Sequence, residues 1–201
     1  MDDVIAVHGT TGDGGTGDMA KGGGKLTDLI RRDEPIVKFD ELAGANVLRQ
    51  KSKPVLNVDS DVAELVGQME RIMRAANGVG LAAPQLGILQ RIFVYDTGDG
   101  FQAVINPKIL QRKGEQVGIE GCLSIPGLQG DVLRANEVVV KGVDQFGKPI
   151  RIRGEGLTAR VIQHESDHLD GVLFIDHADP ATLHYVTAEE LEDEESDGRL
   201  P

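Results

Sequence analysis

The clearest helical pattern in the first half of the chain lies between residues 60 and 77. Its apolar positions recur at the spacing of one helix face: Val62, Leu65, Val66, Met69, Ile72 and Met73. Ser60 is a residue type that often caps a helix N-terminus, and Asn77 with Gly78 is typical of a helix end. The pattern therefore predicts a helix, capped by Ser60, that packs against the core.

Short runs rich in β-branched and aromatic residues follow, in pairs separated by turn residues. Residues 92–95 and 102–105 form one pair, and residues 138–143 and 149–153 form another. Such pairs are typical of β-hairpins. Residues 120–124 indicate a strand that ends in a turn. The sequence thus predicts several strands ahead of one last strong helix.

That helix is predicted over residues 157–169. A rotation of about 100° per residue places one group of side chains within a single arc: Leu157, Val161, Ile162, His164, Glu165, His168 and Leu169. It places the rest on the other side: Arg160, Gln163, Ser166, Asp167 and Asp170. Two histidines and a glutamate therefore lie within the apolar face, where an unpaired charge is costly. A bound cation would compensate for that cost.

His164, Glu165 and His168 form the pattern H-E-x-x-H. Histidines four residues apart on a helix can reach the same cation, and the intervening glutamate can approach a water on the metal without being a ligand. The pattern also occurs by chance or as core histidines. It predicts a metal site with Glu165 in the position of a general base.

A catalytic site of this type needs a third protein ligand and an open position. His8 lies in a glycine-rich segment, while His177 and His184 lie beyond the helix among polar residues, as surface or capping residues do. Cys122 is the only cysteine, so an internal disulfide is excluded. By itself this cysteine can be a buried filler, a nucleophile or a metal ligand.

Residues 78–85, G-V-G-L-A-A-P-Q, directly follow the first predicted helix. Small residues let another backbone approach closely, and the Gln85 amide could stabilise an oxyanion. A glycine-rich helix terminus explains the segment about as well. The segment alone therefore leaves both interpretations open.

Length and composition favour one catalytic domain with tails. The 201 residues suit a single core. Residues 1–24 hold eight glycines, which predicts a flexible extension. The domain is expected at 25–186, followed by an acidic tail at 187–201.

Charge and hydropathy narrow the expected partners and location. The net charge of −12 argues against direct binding to nucleic acid, whose phosphates are also negative. The chain has no run of 18 apolar residues, and its first residues do not resemble a secretory signal. We therefore expect a cytoplasmic protein that does not enter a membrane; an organelle is the alternative if the N-terminal extension is a targeting segment.

Three segments together resemble the signature motifs of the peptide deformylase family. They are G-V-G-L-A-A-P-Q at 78–85, E-G-C-L-S at 120–124 and Q-H-E-S-D-H-L-D-G at 163–171. The resemblance in order, spacing and content extends over about residues 40–178. It implies an α+β fold with mixed or antiparallel strands around the helix that carries H-E-x-x-H. It also implies a metal-dependent hydrolase that removes the formyl group from the N-terminal N-formylmethionine of nascent polypeptides and releases formate.

The resemblance assigns roles motif by motif. The implied metal ligands are Cys122, His164 and His168. Glu165 would be the acid/base residue, and the Gln85 side chain with the backbone N–H of Leu123 would hold the oxyanion. One divalent cation is implied, Fe²⁺ in the cell, and Zn²⁺, Ni²⁺ or Co²⁺ could occupy the same ligands.

The implied substrate is an extended N-formylmethionyl nascent peptide that pairs with backbone as an added strand. The residues implied to contact it are Val79, Gly80, Gly121, Leu157 and Arg160. The projection places Arg160 on the outer side of the helix, so its stem would line a pocket rim while its guanidinium stays in water. Transient contact with the ribosome is a further expectation.

Two rival functions share part of this evidence. Zinc peptidases also carry H-E-x-x-H, but their ligands are usually nitrogen and oxygen rather than a thiolate. A non-catalytic metal-binding or ribosome-docking module is the other rival, and such a module would not need Glu165. Hydrolysis of formyl-peptides separates all three.

Overall fold

The computed structural model describes residues 24–39 and 47–186. Within these ranges the chain forms two α-helices and eight strands. The helices are α1 Ser60–Ala75 and α2 Leu157–Asp170. The strands are β1 Gly80–Ala82, β2 Ile92–Tyr95, β3 Gln102–Lys113, β4 Gln116–Cys122, β5 Ile125–Arg134, β6 Glu137–Val143, β7 Pro149–Glu155 and β8 His184–Tyr185. His8, nearly all of the predicted extension and the predicted acidic tail lie outside the described residues.

Helix α1 packs one face into the core, as its apolar spacing predicts. Five of the six predicted positions are buried, and Ile72 is partly buried against the same cluster. The predicted cap is wrong by one residue. Asp59, not Ser60, precedes the helix, and its carboxylate accepts from the backbone N–H of Asp61 and Val62. A carboxylate is also favoured by the positive end of the helix dipole.

The strands form two antiparallel sheets. One has the order β1-β2-β3-β6-β7, and the other has the order β4-β5-β8. Both predicted hairpins are confirmed, as β2 with β3 and as β6 with β7. The α+β fold class with antiparallel strands is likewise confirmed. Strands β1 and β4 each lie at an edge of their sheet among the described strands.

Helix α2 lies on the five-stranded sheet. Its buried residues Ala159, Ile162 and Leu169 share a cluster with Phe93 and Val140. Gly154 on β7 permits the close approach, because an added Cβ there would lie 3.1 Å from the Ile162 side chain. The helix ends at Gly171, which has φ 75°.

The projection of α2 was wrong at two positions. Gln163, placed on the outer side, is 4% exposed, and its amide bonds the backbone of Ala135 and Ala159. Leu157, placed on the apolar face, is 53% exposed. A helical projection assumes that the helix packs against the core on one face only. Here the turn between β5 and β6 also contacts the flank of α2 and covers Gln163. Among the described residues, no helix has the length and apolar character needed to cross a membrane.

Candidate metal centre

Cys122, His164 and His168 converge where β4 ends against α2. One ligand atom from each lies within 4.8 Å of the other two. The Cys122 Sγ is 3.3 Å from the Nε2 of His168, and the two imidazole rings are 5.0 Å apart at 74°. Helical spacing stacks the two histidines on one face, and a register shift after Gly121 brings the cysteine to them.

This donor set fits a divalent transition metal. One thiolate and two imidazoles are ligands that zinc and iron sites use. Burial raises the pKa of Cys122, but the nearby rings of His168 and His164 outweigh this and lower it well below its usual range. The thiol is therefore disposed to be a thiolate, which is the form that binds metal.

A carboxylate orients His164. The Nδ1 of His164 is 2.9 Å from Glu120 Oε2, so Nε2 is the nitrogen left to face the other ligands. Burial raises the pKa of Glu120, but hydrogen bonds from His164 and Arg134 dominate and bring it to about 2. Glu120 is thus ionised at neutral pH and fixes the ring of the histidine.

Glu120 belongs to a buried charge network that sequence reasoning missed. Arg134 at the end of β5 donates to both Glu120 oxygens, at 2.9 and 3.0 Å, and also to Asp167 on α2. The side chains of Arg134 and Glu120 are 6% and 4% exposed. The network ties β4, β5 and α2 together behind the ligands. The presence of Glu120 beside Cys122 in the motif was the only signal of it; nothing in the sequence marked Arg134.

Glu165 lies directly over Gly80 of β1. A Cβ built on Gly80 would lie 2.3 Å from Glu165 Oε1. Glu165 is 4% exposed, and its Oε2 is a buried oxygen with no hydrogen-bond partner among the described residues. Burial raises its pKa to about 7, although the charges of His164 and His168 act in the opposite direction. A carboxyl group poised in this way can take up and release a proton near neutral pH.

Gln85 extends toward Cys122 from the short 3-10 helix Ala83–Leu86. Its Oε1 accepts from the Ala82 backbone N–H at 2.8 Å, which fixes the orientation of the amide. Its Nε2 then points at the Cys122 Sγ, 3.5 Å away, and at Ser124 Oγ, 3.3 Å away. The amide therefore presents N–H groups beside the ligand cluster.

An open cleft of ≈ 720 Å³ leads to this cluster between the two edge strands β1 and β4. Most residues predicted to act in catalysis or substrate binding line it: Val79, Gly80, Gln85, Gly121, Cys122, Leu123, Leu157, Arg160, His164 and Glu165. His168 is 1% exposed and lies behind the wall. Lys38, which sequence reasoning missed, also lines the cleft and donates to the Leu123 carbonyl at 2.9 Å.

Arg160 lines the cleft, as predicted for its stem. Its guanidinium contacts β4, where it donates to the Ile119 carbonyl at 3.3 Å and to Gln116 Oε1 at 3.0 Å. The remaining described histidines are surface residues, as expected. His177 is near Asp167 at 3.3 Å and His184 is exposed, and the only grouping of metal-binding side chains in the described ranges is the one with Cys122.

Comparison with known proteins agrees with these features. A family described as polypeptide deformylase matches residues 34–184. The peptide deformylase of Carboxydothermus hydrogenoformans is 48% identical over 136 residues, which cover 68% of this chain and 90% of that protein. The crystal structure of peptide deformylase from Thermotoga maritima aligns with TM-score 0.69 and 42% identity. The alignment covers 75% of this chain and 100% of that one. A peptide deformylase from Synechococcus elongatus in complex with actinonin aligns with TM-score 0.68 and 37% identity, over 85% of this chain and 92% of that one.

Proposed function

Because the chain belongs to the polypeptide deformylase family, we propose that the cleft between β1 and β4 is its active site. Its activity is that of the family: metal-dependent hydrolysis that removes the formyl group from the N-terminus of nascent polypeptides. The observation that carries the assignment of the site is the convergence of one thiol and two imidazoles beside a buried glutamate.

We propose that Cys122, His164 and His168 hold the metal and that the ion in the cell is Fe²⁺. Zn²⁺, Ni²⁺ and Co²⁺ suit the same ligands, since a thiolate and imidazoles accept all of them. When bound, the ion supplies Lewis-acid chemistry that lowers the pKa of water and polarises the formyl oxygen. Glu120 keeps His164 in the orientation that binding requires.

Glu165 is proposed to move the proton. Its carboxylate takes a proton from the attacking water and then delivers it to the amine that departs as the C–N bond breaks. The buried, unpartnered Oε2 and the pKa of about 7 support this role. The absence of a side chain at Gly80 leaves the carboxylate room to face the substrate.

The Gln85 amide and the Leu123 backbone N–H are proposed to stabilise the oxygen of the tetrahedral intermediate. Gln85 is already held by Ala82, so little reorganisation is needed when negative charge develops. The loss of one such donor typically lowers the rate by about 100-fold or more.

The substrate is proposed to lie as an extended peptide between the two edge strands, bonded to the backbone at Val79 and Gly121. Recognition through main chain suits an enzyme that meets many different N-termini. Gly80, Leu157 and Arg160 complete the proposed contacts with the substrate. Since the substrate is a nascent chain, we propose that the enzyme works in the cytoplasm and contacts the ribosome transiently. We propose no direct binding to nucleic acid or to a membrane.

Formate release from formyl-Met-Ala-Ser tests this function. The parent protein, loaded in turn with iron, nickel and zinc, is compared with Glu165→Gln at equal metal content. The control is Glu155→Gln, an exposed glutamate on β7. We expect activity in the parent and the control and a large loss in Glu165→Gln with its metal retained. A parent that is inactive with all three metals would overturn the proposal, and cleavage of internal peptide bonds instead would favour a peptidase.

A further inference from the structure

The backbone N–H of Leu123 belongs to a tight turn that the hairpin of β4 and β5 does not hold by itself. Cys122 pairs with Ile125, so Leu123 and Ser124 are the two central residues of the turn. The two-residue turns that suit the twist of a hairpin place one or both central residues at positive φ. Neither Leu123 nor Ser124 has a positive φ. The conformation of this turn therefore depends on contacts from outside the hairpin.

The segment of residues 36–39 supplies two such contacts. The backbone N–H of Phe39 donates to the Ser124 carbonyl at 2.8 Å, and the Nζ of Lys38 donates to the Leu123 carbonyl at 2.9 Å. The Leu123 carbonyl belongs to the central peptide of the turn, whose orientation distinguishes one turn type from another. Lys38 is thus the side chain that fixes this central peptide from outside the hairpin.

The position of the 36–39 segment does not depend on the Lys38 ammonium. Ile36 is buried in a cluster with residues of α1, and Phe39 packs against a second apolar cluster. The backbone N–H of Val37 donates to the Gln85 carbonyl at 2.7 Å. Because apolar contacts and backbone bonds hold the segment on both sides of Lys38, removal of the ammonium should leave the segment in place.

The same segment contacts both elements that carry the proposed oxyanion donors. It bonds the backbone of Gln85 through Val37 and the turn of Leu123 through Lys38. The two donors also meet directly, since the Gln85 Nε2 lies 3.3 Å from the Ser124 Oγ. Hydrogen-bond donors stabilise a developing oxyanion most when they already point to its position, so a shift of the turn should weaken the effect of both.

We propose that Lys38 is a positioning residue for the chemical step: its ammonium fixes the Leu123 carbonyl, and the turn thereby presents the Leu123 N–H to the formyl oxygen. This inference rests on the proposed function. Removal of the ammonium should lower kcat by roughly 5- to 20-fold, less than the roughly 100-fold typical of a deleted donor, because the N–H is misdirected rather than lost. KM should stay nearly unchanged, since the proposed backbone bonds of the substrate are at Val79 and Gly121.

Lys38→Met and Lys38→Arg test the proposal in formate release from formyl-Met-Ala-Ser, with kcat and KM determined separately. Lys38→Met removes the donor but keeps an unbranched side chain, and it should show the loss in kcat. Lys38→Arg keeps a charged N–H donor and should return kcat to within about 3-fold of the parent. The control is Lys141→Met, at an exposed lysine on β6. Metal content and thermal melting are measured for every variant and should match the parent.

Amide hydrogen exchange gives a second readout that needs no activity. Exchange reports local opening of the backbone, so it measures how firmly the turn is held. In Lys38→Met the amides of residues 122–125 should exchange faster than in the parent, whereas Lys38→Arg and Lys141→Met should match the parent. The amides of α1 serve as an internal reference and should exchange at the same rate in all four proteins.

The outcomes separate failure of this inference from failure of the proposed function. If the parent releases formate and Lys38→Met keeps more than half of its kcat, the inference is overturned and the proposed function stands. A rise in KM at unchanged kcat also overturns it, because the lysine would then bind substrate. The same holds if Lys38→Arg is as slow as Lys38→Met. If the parent releases no formate with any metal, the proposed function fails, and unchanged exchange at residues 122–125 would overturn the inference as well.

Discussion

Substitution of Gly80 by alanine should lower kcat mainly by displacing Glu165. The added Cβ would lie 2.3 Å from Glu165 Oε1 and 2.9 Å from its Cδ, whereas ordinary contact begins at 3.4 Å. The carboxylate must therefore retreat by about 1 Å, and a misplacement of this size can cost about 100-fold in rate. The backbone at Gly80 is not in the left-handed region, so alanine adds little strain of its own.

The assay is kcat for formate release at saturating formyl-Met-Ala-Ser, with metal content and thermal melting measured alongside. We expect a loss of about 100-fold in Gly80→Ala, with the metal retained, since Glu165 is not proposed as a ligand. Gly67→Ala serves as the control. In a Glu165→Gln background the same substitution should add less than about 3-fold, because it acts through a carboxylate that is already absent. A Gly80→Ala enzyme with more than half of the parental kcat, or an equal loss in both backgrounds, would refute this reasoning.

Three further predictions concern stability, measured as the free energy of unfolding in urea. Asp59→Ala should cost about 1 kcal/mol through loss of the α1 cap, while Ser60→Ala should be nearly neutral; the reverse order would restore Ser60 as the cap. Arg134→Met should cost about 3–5 kcal/mol, because the buried carboxylate of Glu120 loses both arginine hydrogen bonds and keeps its contact with His164; a loss below about 1 kcal/mol would show that water reaches the site. Gly171→Ala should cost more than about 1 kcal/mol, since φ is 75° and the new Cβ would lie 2.6 Å from a backbone oxygen; an unchanged midpoint would contradict this.

The parts of the site that sequence predicted are those fixed by local geometry. The spacing of His164 and His168 determines that both rings share a helix face, whatever the rest of the fold does. The position of Cys122 beside them depends on long-range packing of β4 against α2. It was found through its motif rather than through spacing, because a single cysteine carries no periodic signal.

The parts that sequence did not predict depend on contacts between distant segments. Arg134 and Glu120 are 14 residues apart on neighbouring strands, and only the pairing of β4 with β5 brings them together. Gln163 is buried because the turn at Ala135 covers the flank of α2. The guanidinium of Arg160 contacts β4 where Gly118 leaves room for it. A helical projection cannot predict these contacts, because each one depends on where another segment of the chain packs.

Glycine is the residue whose function in this site is least visible in the sequence. Gly80, Gly118 and Gly78 would all be taken as sites of backbone freedom, yet their φ values are not positive. Each instead faces a side chain that fills the space of a missing Cβ: Glu165, Arg160 and Leu123, respectively. Three residues that line the cleft are thus each packed against a glycine on another segment. One of them carries the carboxylate proposed to move the proton, and another is proposed to offer a backbone N–H. A side chain added at one of these glycines should therefore displace the partner side chain first. The position of the partner in the cleft should change before the fold does.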